Sequence, residues 1–370
     1  MKTIRIKGKT VGAEKPCFII AEAGSNHDGS LAQAKRLIEV AAESGADAIK
    51  FQLFKAEDLY PENCGKVDTP AGKIDLFKAL KGMELPADWL KTLKKYSEGS
   101  GLVFICSPFS ERSALALNKL GIGAFKIASP EITHIPLLEY ISRFRKPLII
   151  STGMSKLRDV EEALDACYSQ NNREIVLMHC ITAYPAPNTD CNLKVIDTLQ
   201  KAFDVPVGLS DHTLDPIVVP SISLLVGSAM LEKHFTVSKK LKGPDHPFAI
   251  EPNELKLMVK TIRNYESMEK NDRSRKIIKT FGESLVRTVL GSGVKRIAPS
   301  EKELYECDRR NIRAIRDIAR SEKLTKKNIG ILRAERNLKP GLHPRYFNLV
   351  IGKKAAKDIP CSKEIKWGDF

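Results

Sequence analysis

No two of the eight cysteines (Cys17, Cys64, Cys106, Cys167, Cys180, Cys191, Cys307 and Cys361) have the C-x-x-C spacing of a structural zinc or redox site. Their scatter fits a reduced, cytoplasmic chain. The opening MKTIRIKGKT contains no apolar segment of the kind a signal peptide needs. The longest apolar run, IVVPSISLLVGSAML at 217–231, is shorter than the roughly 20 residues of a membrane span and carries Pro220 and serines. Neither export nor a membrane partner is expected. Low-complexity tracts are absent too, and 42% hydrophobic with 28% charged residues is the composition of a globular protein.

Also missing is any recognition motif that interleaves aromatic and basic residues, which matters because the net charge is +15. Lysines and arginines are spread along the whole chain, and KKLK at 239–242 and RSRKIIK at 273–279 stand isolated. The charge therefore reads as a solvated surface whose field favours an anionic substrate, not as a nucleic-acid interface. At 370 residues the chain exceeds the ~250–300 at which a single core stops growing, so two domains are expected.

What is present is a repeated alternation. Eight short apolar, β-branched runs recur: CFIIAEAG (17–24), AIKFQLF (48–54), VFICSPF (103–109), AFKIAS (124–129), LIISTG (148–153), IVLMHC (175–180), VPVGLSDH (205–212) and MLEKHFT (230–236). Between them lie stretches such as SLAQAKRLIEVAAESGA, whose apolar residues recur at the helix period. Eight βα units over ~250 residues predict an α/β fold of the TIM (β/α)8 type. A hairpin in the first residues would close its floor, and a helix from 251 would finish it. The expected domains are a barrel over 1–285, a polar linker over 286–304, and a small β-rich module over 305–370 that must dock on something to be stable.

In such a barrel the C-terminal strand ends form the site, and here those ends are polar. They carry Glu22; Lys50 and Gln52; Ser107; Lys126 and Ser129; Ser151 and Thr152; His179, Thr182 and Tyr184; Ser210, Asp211 and His212; Glu232 and His234. Strand alternation puts Lys50 with Gln52, Ser210 with His212, and Glu232 with His234 on shared faces. Two lysines entering one mouth ask for an anion between them, and the serines add donors of the kind that hold phosphate. His212 and His234, on neighbouring strands, could reach one exchangeable divalent metal, manganese suiting the site better than closed zinc. His179 is a third ligand or a core histidine. Glu22 is the acid/base candidate or a lysine's partner. Asn26, His27 and Asp28 shape the loop above it or share in its chemistry.

In order, IIAEAGSNHDG, AIKFQLF, CSPFS, FKIAS, STGMS, HCITAYPAP, GLSDHT and EKHFT resemble the sialic acid synthase family, enzymes that make nine-carbon nonulosonic acids. The tail RAIRDIARSEKLTKKNI…KPGLHPRYFNLVIGKKAAKDI is similar to that family's C-terminal antifreeze-like, or SAF, domain. The resemblance implies condensation of phosphoenolpyruvate with the open-chain aldehyde of an N-acetylmannosamine-type sugar, with release of phosphate. It implies that Lys50, Gln52, Ser107, Lys126, Ser129, Ser151 and Ser210 hold phosphoenolpyruvate, and that His212 and His234 bind manganese, with magnesium or cobalt as alternatives. Glu22 and Asp245 would be catalytic, and Thr182 and Tyr184 would face the sugar. Thr182 stands where members using plain N-acetylmannosamine have asparagine, which leaves the sugar open. The family's SAF domain crosses to its partner in a domain-swapped homodimer and donates an arginine to the sugar, here Arg336 or alternatively Arg333. Two other readings remain. A related synthase of shorter 3-deoxy-ulosonic acids is opposed by the tail, and a non-catalytic polysaccharide binder is opposed by the retained lysines, histidines and Glu22.

Overall fold

The computed structural model describes residues 2–69, 72–335 and 337–370. A hairpin of β1 (Thr3–Ile6) and β2 (Lys9–Gly12) comes first. Eight parallel strands follow and close into a barrel: β3 (Phe18–Gly24), β4 (Ala48–Leu53), β7 (Val103–Pro108), β8 (Phe125–Ile127), β9 (Leu148–Ser151), β10 (Ile175–Cys180), β11 (Val207–Asp211) and β12 (Met230–His234). All eight apolar runs of the sequence are barrel strands. Helices cover the outside because their apolar residues repeat at three and four positions. In Leu31–Glu43, for example, Ala34, Leu37, Ile38 and Ala41 are buried while Ser30 caps the N-terminus by accepting from Gln33 N–H.

The strands are buried on both faces but the faces differ in chemistry. Residues such as Ile19, Ile49, Phe104, Ile150, Leu177 and Leu231 join the core shared with the helices. The alternate set points inward, and its lower layers (Phe18, Ile20, Ala48, Val103, Ile105, Ile149, Val176, Met178, Met230) pack on Ile4, Ile6 and Val11 of the hairpin. The hairpin thus stoppers the barrel from below. Continuing up the same inward series, the side chains turn polar: Glu22, Lys50, Lys126, Ser151, Ser210 and Glu232. Register enforces this, since Glu22 pairs with Lys50 on one side and with His234 on the other, and Ser210 pairs with Cys180 and with Glu232.

A second hairpin, β5 (Lys66–Thr69) with β6 (Gly72–Asp75), is inserted after β4. The stretch expected to be a polar linker does not hang free. It begins inside the helix Glu283–Leu290, whose Val286 and Val289 join the barrel's outer core. Further on, Lys295 donates to Thr152 O at 2.6 Å and Glu301 is completely buried. The tail then forms its own small core (Ile312, Ala314, Ile318, Leu324, Ile329, Phe347, Val350, Ile359, Ile365) around β13 (Arg310–Ala314) and β14 (Ile329–Arg333). It docks on loops above β4, β7 and β8. There Glu131 receives Arg310 at 2.8 Å and Arg333 at 2.9 Å, Tyr60 meets Asp308, and Arg310 donates to Phe109 O.

Candidate active site

The predicted anion-binding residues converge. Lys50 Nζ lies 2.9 Å from Glu22 Oε1 and 3.4 Å from Glu232 Oε1, and Lys126 Nζ lies 3.5 Å from the same Glu232 oxygen. Lys126 also donates to Ser151 Oγ at 2.7 Å, Ser210 Oγ donates to Glu232 Oε1 at 3.3 Å, and Gln52 donates to Glu22 Oε1 at 2.8 Å. Ser129 Oγ accepts from the N–H of Gly153 at 3.1 Å. Ser107 sits on the inward face of β7, and its buried hydroxyl has no partner. Second oxygens of Glu22 and Glu232 are orphaned in the same way. Buried polar atoms normally find partners, so this group has hydrogen-bonding capacity left for a polar ligand.

Glu232 is the residue that sequence reasoning undervalued. It was legible as a strand-end carboxylate sharing a face with His234, but only the closed barrel reveals that it bridges the two lysines. Burial affects the two carboxylates alike, yet they end apart. Burial lifts the Glu22 carboxyl above its ordinary range despite Lys50, with Glu232 adding to the rise. For Glu232, burial is outweighed by Lys126 and Lys50, which hold it below that range. Two carboxyls driven apart in this way are suited to different tasks, one moving a proton and one remaining charged.

Next to this group the imidazoles of His212 and His234 lie with ring centroids 5.5 Å apart, His234 being the register partner of Glu22. Nδ1 of His212 is hydrogen-bonded at 2.8 Å to the carbonyl of Ile181, so it carries a proton and Nε2 is the nitrogen left to face a metal. Burial, with His212 nearby, keeps His234 neutral, and its buried Nδ1 has no partner. His234 is thus in the form that ligates metal, whereas for His212 burial is outweighed by Cys180 and the Ile181 carbonyl, which raise its imidazole above the ordinary range, so that ring must shed a proton to bind an ion. Among the described residues no cluster of three or more His, Cys, Asp or Glu side chains is arranged to hold an ion. The pair fits an open, exchangeable site better than a closed one.

Tyr184 stacks on His212 at 4.3 Å and touches Phe248 at 5.0 Å, forming a half-exposed aromatic rim. Thr182, just past the end of β10, is buried, with its Oγ1 3.9 Å from Cys180 Sγ. Asp245 stands 3.7 Å from His234 Nδ1, and burial together with Glu22 raises its carboxyl to about 6. Gly24, with φ +53°, lets this loop approach: a β-carbon there would sit 3.1 Å from Asp245 Oδ2.

Other candidates lie apart from this group. His179 faces the helices, bonds Cys191 O at 2.6 Å and is driven down to about 3 by burial; it is a core histidine. Asp211 pairs with Lys233 at 2.5 Å, out of phase with the inward series. Asn26 donates to Phe235 O, His27 accepts from Gly29 N–H, and Asp28 bonds His246, so all three shape loops. Arg333 is committed to Glu131 and Asp308, while Arg336 lies outside the described residues.

Residues 37–274 match the model of the NeuB family, and residues 309–367 match the SAF domain. The chain belongs to the NeuB family. It is 42% identical to the spore coat polysaccharide biosynthesis protein SpsE of Bacillus subtilis over all of this chain and 98% of that one. With the N,N'-diacetyllegionaminic acid synthase of Legionella pneumophila it shares 36% identity, covering 97% and 96% of the two chains. The crystal structure of Bacillus subtilis SpsE superimposes with a TM-score of 0.85, at 39% identity, covering 100% of this chain and 99% of that one. NeuB-family relatives named as pseudaminic acid synthases, from Campylobacter jejuni and Helicobacter pylori, are 31% identical over 96% of this chain.

Proposed function

We propose that this NeuB-family chain joins phosphoenolpyruvate to an N-acetylmannosamine-type or diacetamido sugar, giving a nine-carbon nonulosonic acid and inorganic phosphate. The observation that carries the reading is the pair Lys50 and Lys126, bridged by Glu232 and ringed by orphaned polar atoms, in the same mouth as the imidazoles of His212 and His234. Relatives named as legionaminic, pseudaminic and N-acetylneuraminate-9-phosphate synthases support the product class.

In this reading Lys50, Lys126, Gln52 and the hydroxyls of Ser107, Ser129, Ser151 and Ser210 hold the phosphate and carboxylate of phosphoenolpyruvate. Thr182 and Tyr184 orient the open-chain sugar above it. A divalent ion on His212 and His234, manganese first with magnesium or cobalt as alternatives, supplies Lewis acidity to the aldehyde oxygen when bound. The C2–C3 π pair of phosphoenolpyruvate forms the new bond to the aldehyde carbon. The former aldehyde oxygen takes up a proton, water adds at C2 and loses a proton to the free Oε2 of Glu22, and the C2 hydroxyl then passes its proton to the departing phosphate as the C–O bond breaks and the ketone forms. Asp245, with its raised carboxyl, meets sugar hydroxyls and can take or return a proton there.

Phosphate release from phosphoenolpyruvate with manganese is the deciding assay. The acceptors to compare are N-acetylmannosamine, its 6-phosphate and 2,4-diacetamido-2,4,6-trideoxyhexoses; silence with all of them refutes the proposal. A domain-swapped homodimer belongs to the same reading. The contacts seen here between tail and barrel could be remade between two chains, with Arg336 brought to the partner's sugar. A monomeric mass in analytical ultracentrifugation would overturn that part.

A further inference from the structure

Glu301 lies in the connector between barrel and tail, far from any strand end in sequence, and it is completely buried. Its Oε1 accepts from the N–H of Met154 at 2.7 Å and from the N–H of Thr182 at 2.9 Å. Oε2 accepts from Ala298 N–H at 3.0 Å, which fixes the carboxylate to the connector. One side chain therefore ties together the loops that follow β9 and β10. These loops touch each other where they are tied: a β-carbon on Gly153 would lie 2.1 Å from Thr182 Oγ1. Met154 is held in left-handed backbone, φ +49°, a conformation that costs a non-glycine residue energy and persists only when its surroundings impose it.

The bond to Thr182 reaches further. The N–H of Thr182 and the C=O of Ile181 are two ends of one peptide group. Glu301 takes the first, and the second accepts the Nδ1 proton of His212 at 2.8 Å. The peptide that sets the tautomer of His212 is thus itself oriented from the connector.

We propose that Glu301 is a positioning residue, a latch by which the docked connector sets the loops carrying Ser151, Gly153, Thr182 and Tyr184 and fixes the peptide that holds His212. Its effect on turnover rests on the proposed reaction; the latch itself does not. The lysine beside it works in the same sense, since Lys295 Nζ holds Thr152 O one residue before Gly153.

Hydrogen exchange on the full-length protein tests the latch without reference to activity. In wild type the amides of Met154 and Thr182 should be protected. In E301A they should exchange about 10-fold faster or more, while amides low in the barrel, such as Leu177, keep their protection. E301Q should retain part of that protection, because its amide oxygen can still accept from both N–H groups although its NH2 cannot accept from Ala298 N–H. Turnover should follow the same order: kcat falls about 10- to 100-fold in E301A and less than about 5-fold in E301Q, with KM for phosphoenolpyruvate changed little. Unaltered exchange at both amides in E301A overturns the latch, as does equal loss across the barrel in E301Q and E301A alike. Wild-type protein inactive on every acceptor would refute the reaction, and exchange would still decide the latch.

Discussion

Glu22 and Glu232 share the ammonium of Lys50, at 2.9 and 3.4 Å, inside a barrel mouth where all three are buried. Truncating either carboxylate leaves positive charge without its partner, but with different consequences. Glu232 is the only one of the two that also faces Lys126 within 4 Å. The substitution Glu232→Gln should lower the stability of ligand-free protein by about 3 kcal/mol, the usual cost of breaking a buried pair. Phosphate or phosphoenolpyruvate should then raise the melting temperature of E232Q more than that of wild type, because the anion replaces the missing charge. Calorimetry with and without ligand reads both effects.

Glu22→Gln should keep the fold and lose the chemistry. The amide can still meet Lys50 and Gln52, but it cannot take a proton. A drop in kcat of about 100-fold or more is expected from steady-state kinetics, with a thermal melt showing a smaller loss of stability than in E232Q, because Lys50 keeps Glu232 and Lys126 is untouched.

Lys126→Met keeps the length of the side chain but removes the ammonium that faces Ser151 and Glu232. Loss of one partner of a buried charged contact costs 2 kcal/mol or more as an order of magnitude, so phosphoenolpyruvate should bind about 30-fold more weakly. Titration calorimetry checks it directly.

Docking of the tail should depend on pH through Glu131. Burial alone would raise its carboxyl, but Arg310 and Arg333 outweigh burial and hold it below the ordinary range. A depressed folded value means that this contribution to stability is complete above the unfolded value, about 4.3, and is lost as pH falls through the folded one. Melting curves between pH 6 and pH 3 should show wild type losing this increment in acid. Glu131→Gln should be less stable at neutral pH and respond less to acidification.

Gly153→Ala should be poorly tolerated. The added methyl would collide with Thr182 Oγ1 and lie 2.8 Å from Ser129 Oγ, at the contact between two site loops. A stability loss of about 1–3 kcal/mol and a marked fall in kcat/KM are expected, measured by denaturant melts and kinetics.

The barrel was legible because it is periodic. Residues alternate between helix-facing and inward positions, so Lys50, Ser210, Glu232 and His234 could be assigned to one mouth before any coordinates. What stayed hidden depended on chain segments meeting without local pattern. Nothing near Glu301 announces a partner 119 residues earlier. The expected linker from 286 cuts through the helix Glu283–Leu290, because its short run ESLVRTVL carries no local sign that Val286 and Val289 pack on the barrel. His179 could not be assigned from its run alone, since a histidine at the end of an apolar strand reads the same on either face until closure fixes which one points inward.

The floor hairpin carries a last consequence. With Ile4, Ile6 and Val11 packed against the lower inward residues, the end of the barrel beneath the lysines is closed to traffic. Lys126 and Ser151 are buried while Tyr184 is half-exposed, so in the proposed reaction the smaller, anionic ligand is expected to enter first. The sugar then closes the exit above it, and phosphate cannot depart before the product moves. Kinetic order would follow from architecture alone.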